Sequence, residues 1–193
     1  MNKSIVAILF IVTSLGIACK STNSISADIN KQIFHEKSSE WTTIGDANWV
    51  LEKGIITGKG VLGYAVTTRP YKNFIMEAEF RPDAVVNSGI FVRCPEGEFT
   101  ATGCYEINIA DNHTNQDFRT GAIVTKEKPR AIINTVDKWN KFNISAIGNH
   151  VQVWLNGTIM GDIKDDTAAS GFIGLQLNGD GVIQFRNVMI TEI

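Results

Sequence analysis

The 193-residue chain is short of cysteine, of basic clusters and of long apolar runs, and each scarcity removes a class of protein. Only three cysteines are present and none belongs to a CxxC pair, so a structural zinc site has no basis. The formal net charge is -2 and no run of Lys or Arg occurs, which argues against nucleic acid as a partner. The apolar run from Ile5 to Val12 is too short to cross a hydrocarbon layer of about 30 Å. No stretch repeats apolar residues at helical spacing for more than about two turns, so a helical domain is not expected.

The N-terminal run does have the anatomy of an export signal. Lys3 stands at its head, and small residues follow it before Cys19. The segment Leu15-Gly16-Ile17-Ala18-Cys19 resembles a bacterial lipoprotein box, with the Leu one place further from the Cys than usual. The expectation is a signal peptide over 1–18 and a lipidated Cys19. A flexible Ser-, Asn- and Lys-rich tether over 19–32 would follow, with the membrane touched through the lipid alone. That places the protein in the cell envelope, as a periplasmic or outer-membrane lipoprotein; plain secretion is the alternative. Roughly 160 residues remain, enough for one domain over 33–193 and too few for two. Cys94 and Cys104 are then a pair in an oxidising setting. Strict alternation puts Cys94 on the face of Ile90 and Val92, and Cys104 opposite Ile107 and Ile109, so disulfide and free thiols both stay open.

From Trp41 onward, short apolar or alternating segments rich in β-branched and aromatic residues are separated by Gly, Asn and Asp. The clearest are Phe74 to Phe80, Ser88 to Arg93, Tyr105 to Ile109, Phe142 to Ile147, Val151 to Leu155, Phe172 to Leu177 and Val182 to Ile190. Gly148-Asn149-His150, Asn156-Gly157 and Asn178-Gly179 supply residues that tolerate positive φ, as hairpins require. The pattern predicts an all-β sandwich of the jelly-roll kind. Pro95 to Gly103 and Asn112 to Arg119 read as loops, where binding residues concentrate on a rigid scaffold.

Three of these strands carry polar residues on the face opposite their core residues. Alternation sends Ile90 and Val92 inward, and Asn87, Phe91 and Arg93 outward. It sends Ile107 and Ile109 inward, with Glu106 and Asn108 outward, and it sets Gln176 and Asn178 opposite Leu175 and Leu177. A solvated face explains such a pattern. The group types offer a second reading, because planar amides, a guanidinium and a carboxylate bind vicinal hydroxyls in pairs. Trp139, Trp154 or Tyr105 would then stack on sugar C–H surfaces. Asp111-Asn112-His113 follows the Glu106 strand, either as ordinary turn chemistry or as part of an acid/base or metal set. Glu106 and Asp111 are about 16 Å apart on an extended strand, too far for a paired glycosidase dyad, which needs about 5 to 10 Å.

The order and spacing of longer motifs resemble the 3-keto-disaccharide hydrolase family. They run from Trp49-Val50-Leu51-Glu52-Lys53-Gly54 through Tyr71-Lys72-Asn73-Phe74, Glu79-Phe80-Arg81, Asn87-Ser88-Gly89-Ile90-Phe91-Val92-Arg93 and Tyr105-Glu106-Ile107-Asn108-Ile109. Thr120-Gly121-Ala122-Ile123, Trp139-Asn140, Leu155-Asn156-Gly157, Gly171-Phe172-Ile173-Gly174-Leu175-Gln176 and Phe185-Arg186-Asn187-Val188 complete the series. The resemblance implies a concanavalin A-like jelly roll that cleaves glycosides already oxidised at the sugar C3. A C3 ketone acidifies the C2 hydrogen, so a base removes it, the enolate is stabilised, and the C1 substituent leaves before water adds.

On this reading Glu106 or His113 is the base, with Glu106 preferred, and Arg93 or a bound divalent metal is the stabiliser. Asn87, Asn108, Asp111, Gln176 and Asn178 would bind the oxidised sugar. The chain departs from the family pattern at Asn108, where Gln is common, at Val124, where an aromatic is frequent, and at Asn178, where His is often found. Without an imidazole at 178 a possible proton-transfer group or metal ligand is gone, which leaves open a jelly-roll lipoprotein that binds carbohydrate without cleaving it.

Overall fold

The computed structural model describes residues 31–193. The expected signal peptide, Cys19 and nearly all of the expected tether lie outside the described residues. Thirteen strands form in chain order: β1 (Lys31–Gln32), β2 (Trp41–Gly45), β3 (Asn48–Glu52), β4 (Ile55–Lys59), β5 (Gly63–Thr67), β6 (Phe74–Pro82) and β7 (Asn87–Cys94). After them come β8 (Tyr105–Ile109), β9 (Asn140–Ile147), β10 (His150–Leu155), β11 (Thr158–Lys164), β12 (Phe172–Asn178) and β13 (Val182–Glu192). The one helical element among the described residues is a 3₁₀ turn at Gln116–Phe118, capped by Asn115.

The strands make an all-β sandwich. One sheet has eight strands in the order β11-β10-β9-β6-β13-β4-β3, with β1 paired to β13; the other has five in the order β2-β5-β12-β7-β8. Lys31–Gln32, read in the sequence as the end of the tether, pair with Met189 and Ile190 and belong to the fold. All seven segments singled out by alternation are strands. The six others are short or carry weaker alternation, such as Trp41–Gly45 and Ile55–Lys59.

One face of each sheet supplies the core, as a period of two dictates. Phe74, Met76, Ala78, Phe80, Phe142, Ile144 and Phe185 of the eight-stranded sheet meet Ala65, Ile90, Val92, Ile107 and Leu175 of the five-stranded one. Phe80 and Phe142 stack at 4.7 Å. Alternation slips once in β13, where Asn187 takes φ 49° and Val188 rather than Asn187 follows Phe185 into the core. The Asn187 amide donates to Glu79 at 2.8 Å, which holds this bulge against the sheet.

A second slip has a larger consequence. Phe91 pairs with Gly174 and Cys94 with Phe172, so β7 carries one residue more than β12 between those points, and Arg93 adopts φ 59°. The alternation that put Arg93 on the Phe91 face therefore fails. Arg93 points into the sandwich, with no exposed surface, and Cys94 takes the outer face in its place. Cys94 and Cys104 are joined in a disulfide, which the bulge makes possible by bringing Cys94 to its partner's side.

Candidate functional site

The outer face of the five-stranded sheet is read off its register. Ile44, Tyr64, Gln176, Gly89 and Asn108 form one cross-strand row; Thr42, Val66, Gly174, Phe91 and Glu106 form the next. Gly89 is the centre of this face. A Cβ there would lie 3.2 Å from the Ile107 carbonyl and 3.4 Å from the Glu106 carboxyl oxygen, so the missing side chain is the space into which Glu106 leans. The polar atoms around that space are unspent. Asn108 Oδ1 and Gln176 Oε1 are buried without a hydrogen-bond partner, and no described residue hydrogen-bonds the Glu106 carboxylate.

Buried acceptors without donors are costly, and in native proteins they mark places where a ligand or water completes the set. Burial among these groups raises the Glu106 pKa to about 7. The cause is loss of hydration for the charged form, so the group changes charge near neutrality, where general bases operate.

Aromatic side chains wall the site on one side. Phe99 lies over Gly174, where a Cβ would come within 2.6 Å of its ring; it stacks on Tyr64 at 4.9 Å and meets Phe91 edge-on at 6.1 Å. The Tyr64 hydroxyl donates to the Phe99 carbonyl at 3.3 Å and receives the Gln176 amide at 3.4 Å, both long contacts that a better partner can replace. Burial, and secondarily the neighbouring Glu106 charge, raise the Tyr64 pKa above its usual 10.0, so the phenol stays a donor across the neutral range.

The Cys94–Cys104 disulfide ties the two ends of the loop that carries Phe99. Replacing both cysteines by serine should lower stability by about 3 kcal/mol, from loop-closure entropy over some ten residues, measured as a shift of the urea midpoint. An unchanged midpoint would show that the loop holds its place without the bond.

The sequence-predicted residues divide sharply. Glu106, Asn108 and Gln176 converge on Gly89, and Asn87 and Asn178 are paired one row further along the same face. The other three are elsewhere. Arg93 gives five hydrogen bonds to four main-chain carbonyls, those of Lys72, Ala146, Gly148 and Ala168, and braces the end of the sandwich instead of meeting the Glu106 face.

Asp111 accepts from the Thr120 and Thr135 hydroxyls and the Thr135 amide, so its carboxylate is occupied in fixing the chain after β8. His113 sits on the following loop, its Nδ1 within 2.9 Å of the Asn115 carbonyl and its ring edge-on to Phe118.

The aromatics proposed from sequence also lie away from the site. Tyr105 is buried with its hydroxyl donating to Asp165, Trp139 lies beneath Arg186 at 4.0 Å, and Trp154 is on β10 of the other sheet. Tyr64 and Phe99 went unnoticed because their meeting is a product of strand register and a cross-linked loop; only the alternation of Tyr64 with Ala65 hinted at an outward ring. Among the described residues no three His, Cys, Asp or Glu side chains come together as a metal-binding group.

Residues 30–191 match the family model described as the 3-keto-alpha-glucoside-1,2-lyase-like domain. Solved structures agree. A candidate glycosyl hydrolase from Parabacteroides distasonis is 25% identical, with 76% of this chain and 93% of that one covered and a TM-score of 0.67. A second candidate glycosyl hydrolase from the same organism is 22% identical over 80% of this chain and 88% of that one, with a TM-score of 0.68. The carbohydrate-binding module CBM66 of Bacillus subtilis is 18% identical over 79% of this chain and 96% of its own, with a TM-score of 0.64. The last two show a shared fold alone. No curated protein matches the chain.

Proposed function

Because the chain belongs to the 3-keto-alpha-glucoside-1,2-lyase-like family, we propose that it cleaves 3-keto-glycosides by elimination across C1 and C2, with Glu106 as the base. The observation that carries this reading is the unpartnered Glu106 carboxyl beside Gly89, its pKa raised to about 7 by burial. A base of that strength suits a hydrogen acidified by an adjacent ketone, and it would be out of place in a merely wet sheet face.

Water is the one further reactant the steps need. Glu106 takes the C2 proton, and the C–H electron pair forms an enolate whose negative charge rests on the C3 oxygen. Tyr64, a donor held only by long contacts, gives its hydroxyl hydrogen bond to that oxygen, with the Gln176 amide beside it. The enolate then re-forms the ketone, a C1=C2 double bond appears, and the C1–O bond breaks, its electron pair leaving with the aglycone oxygen, which takes a proton from water; the hydroxide so formed takes the proton held by Glu106 and restores the base. Water adding across C1=C2 completes net hydrolysis. Asn108 Oδ1 and Gln176 Oε1 accept from the remaining sugar hydroxyls, which removes their unsatisfied burial. The same reading places the protein at the cell envelope, anchored through Cys19 where oxidised sugars reach it.

Incubation with a 3-keto-disaccharide and with its unoxidised parent tests the proposal. Release of product from the keto sugar alone, with exchange of the C2 hydrogen in deuterated water, is expected. Equal turnover of the parent would indicate conventional glycoside hydrolysis, and binding without turnover would indicate a carbohydrate-binding module. Tyr64→Phe should lower kcat by about 10²-fold with little change in KM, as loss of one oxyanion donor does. A change confined to KM would reassign Tyr64 to ground-state binding.

A further inference from the structure

Tyr64, the donor assigned to the C3 oxygen, starts from a distant strand. In the order β2-β5-β12-β7-β8 it stands on β5, three places from the strand of Glu106, so the two main chains are about 14 Å apart. Side chains stand roughly perpendicular to a sheet, and an upright Tyr64 would leave its hydroxyl above β5. Instead the ring leans across β12. Its hydroxyl meets the Gln176 amide of that strand, and its centroid comes to 5.6 Å from that of Phe91 on β7, whose main chain is two strands and so about 10 Å away. We propose that Phe99 holds this lean, as a positioning residue that acts on the reaction through Tyr64 and not through the sugar; the inference rests on the lyase reading of Glu106.

Three observations carry it. The first is how the space between Tyr64 and Phe91 is filled. Gly174 of β12 brings no side chain there, and the Phe99 ring occupies the place, so close that a Cβ on Gly174 would come within 2.6 Å of it. From that position it stacks on Tyr64 at 4.9 Å and 25° and meets Phe91 edge-on at 6.1 Å. Aromatic faces in such contact fix the plane of both rings.

The second is that the same residue also directs the hydroxyl. The Phe99 carbonyl accepts from the Tyr64 hydroxyl at 3.3 Å, a long bond that aims the phenol while the enolate oxygen is absent and yields to it when it forms.

The third is that Phe99 is itself held. It is 8% exposed, in a loop whose ends are joined by the Cys94–Cys104 disulfide and whose turns are closed by the Glu98 amide on the Pro95 carbonyl and the Cys104 amide on the Thr100 carbonyl. On its other side lies a hollow of ≈ 200 Å³ that Phe99 shares with Ile44 and Val66, the neighbours of Tyr64 in the sheet. A shorter side chain at 99 would therefore give the Tyr64 ring room to stand up.

Phe99→Leu and Gly174→Ala test the proposal from two directions, each alone and combined with Tyr64→Phe, on a 3-keto-disaccharide. Leu removes the ring face, whereas Ala at 174 keeps Phe99 and displaces its ring. With native circular dichroism, each is expected to lower kcat by about tenfold or more at a KM within about twofold of native, because a displaced donor is lost to the transition state. Added to Tyr64→Phe, each should cost less than about twofold more, since the residue it positions is already disarmed. Losses that simply multiply with that of Tyr64→Phe, or a change confined to KM, would overturn the proposal; the second would make Phe99 a sugar contact.

A readout independent of turnover is alkaline titration of the Tyr64 phenol, isolated by difference against Tyr64→Phe. Burial holds that phenol above its ordinary range, so in Phe99→Leu it should ionise at lower pH than in the native protein. An unmoved titration would mean that Phe99 does not pack Tyr64 in solution, and would overturn the proposal. Turnover with multiplying losses sinks the positioning role and leaves the lyase reading standing. Absence of turnover by the native protein sinks the lyase reading and the catalytic part of the proposal with it, and a moved titration then still identifies Phe99 as the residue that holds Tyr64.

Discussion

Glu106→Gln is expected to lose about 10³-fold or more in kcat/KM and, at the same time, to make the folded protein more stable at alkaline pH. The first effect follows from removing the only proton acceptor assigned to C2; general-base catalysis contributes typically 10²–10⁴-fold. The second follows from the same burial that tunes the base. The Glu106 pKa rises from 4.5 in the unfolded chain to about 7 in the fold, so between those values the native state binds more protons than the unfolded one.

Stability should therefore fall as pH rises from about 4.5 through 7, by roughly 3 kcal/mol at 1.36 kcal/mol per unit, and stay level above that. The neutral amide of Gln escapes this cost. At pH 8 its melting temperature should exceed that of the native protein by ~5–10 °C, and at pH 4 the difference should vanish. On the proposed mechanism the native protein should lose kcat/KM about tenfold per unit as pH falls below 7, because the protonated carboxyl takes no proton. Scanning calorimetry of both proteins at pH 4 and pH 8, with a pH–rate profile, reads all three. Unchanged activity would move the base elsewhere, and equal stability at pH 8 would mean that the carboxyl is not desolvated.

Arg93→Lys should be severely destabilising, by roughly 3 kcal/mol or more, and Arg93→Ala should fail to accumulate as folded protein. The guanidinium is fully buried and distributes five donors among the carbonyls of Lys72, Ala146, Gly148 and Ala168, which come from three separate turns and the end of β9. An ammonium has three donors in a compact array and cannot span that fork. Each buried carbonyl left without a donor costs about 1–3 kcal/mol, against a total stability of roughly 5–15 kcal/mol for a domain. The urea midpoint of Arg93→Lys measures the loss. If its folded fraction, assayed in the cold, keeps native kcat, Arg93 acts on structure alone. Lost kcat at an unchanged midpoint would restore it to the chemistry.

These two residues show where sequence reading succeeds and where it stops. Glu106 was legible because Tyr105-Glu106-Ile107-Asn108-Ile109 alternates without interruption, and a regular period of two fixes the face of every side chain. Gln176 was legible for the same reason. Arg93 was misplaced by the same rule, since one extra residue in β7 and a positive φ reverse the faces of everything after it. Nothing local in Phe91-Val92-Arg93-Cys94 announces the bulge; it is stabilised by carbonyls 21 to 75 residues away and by a cysteine ten residues on. Asp111 was misassigned because a carboxylate at a strand end serves a ligand or a turn equally well, and Thr135, which decides between them, is 24 residues distant.

By itself the sequence determined the all-β sandwich, its principal strands, the core residues and the strand faces that carry Glu106, Asn108 and Gln176, since alternation and turn chemistry are local properties. Tertiary structure alone decided that Gly89 leaves room for Glu106, that Tyr64 and Phe99 wall the site, that Arg93 is a brace and that the two cysteines meet. Each of these depends on which strands are neighbours and in what register, and register is set by the packing of the whole sandwich.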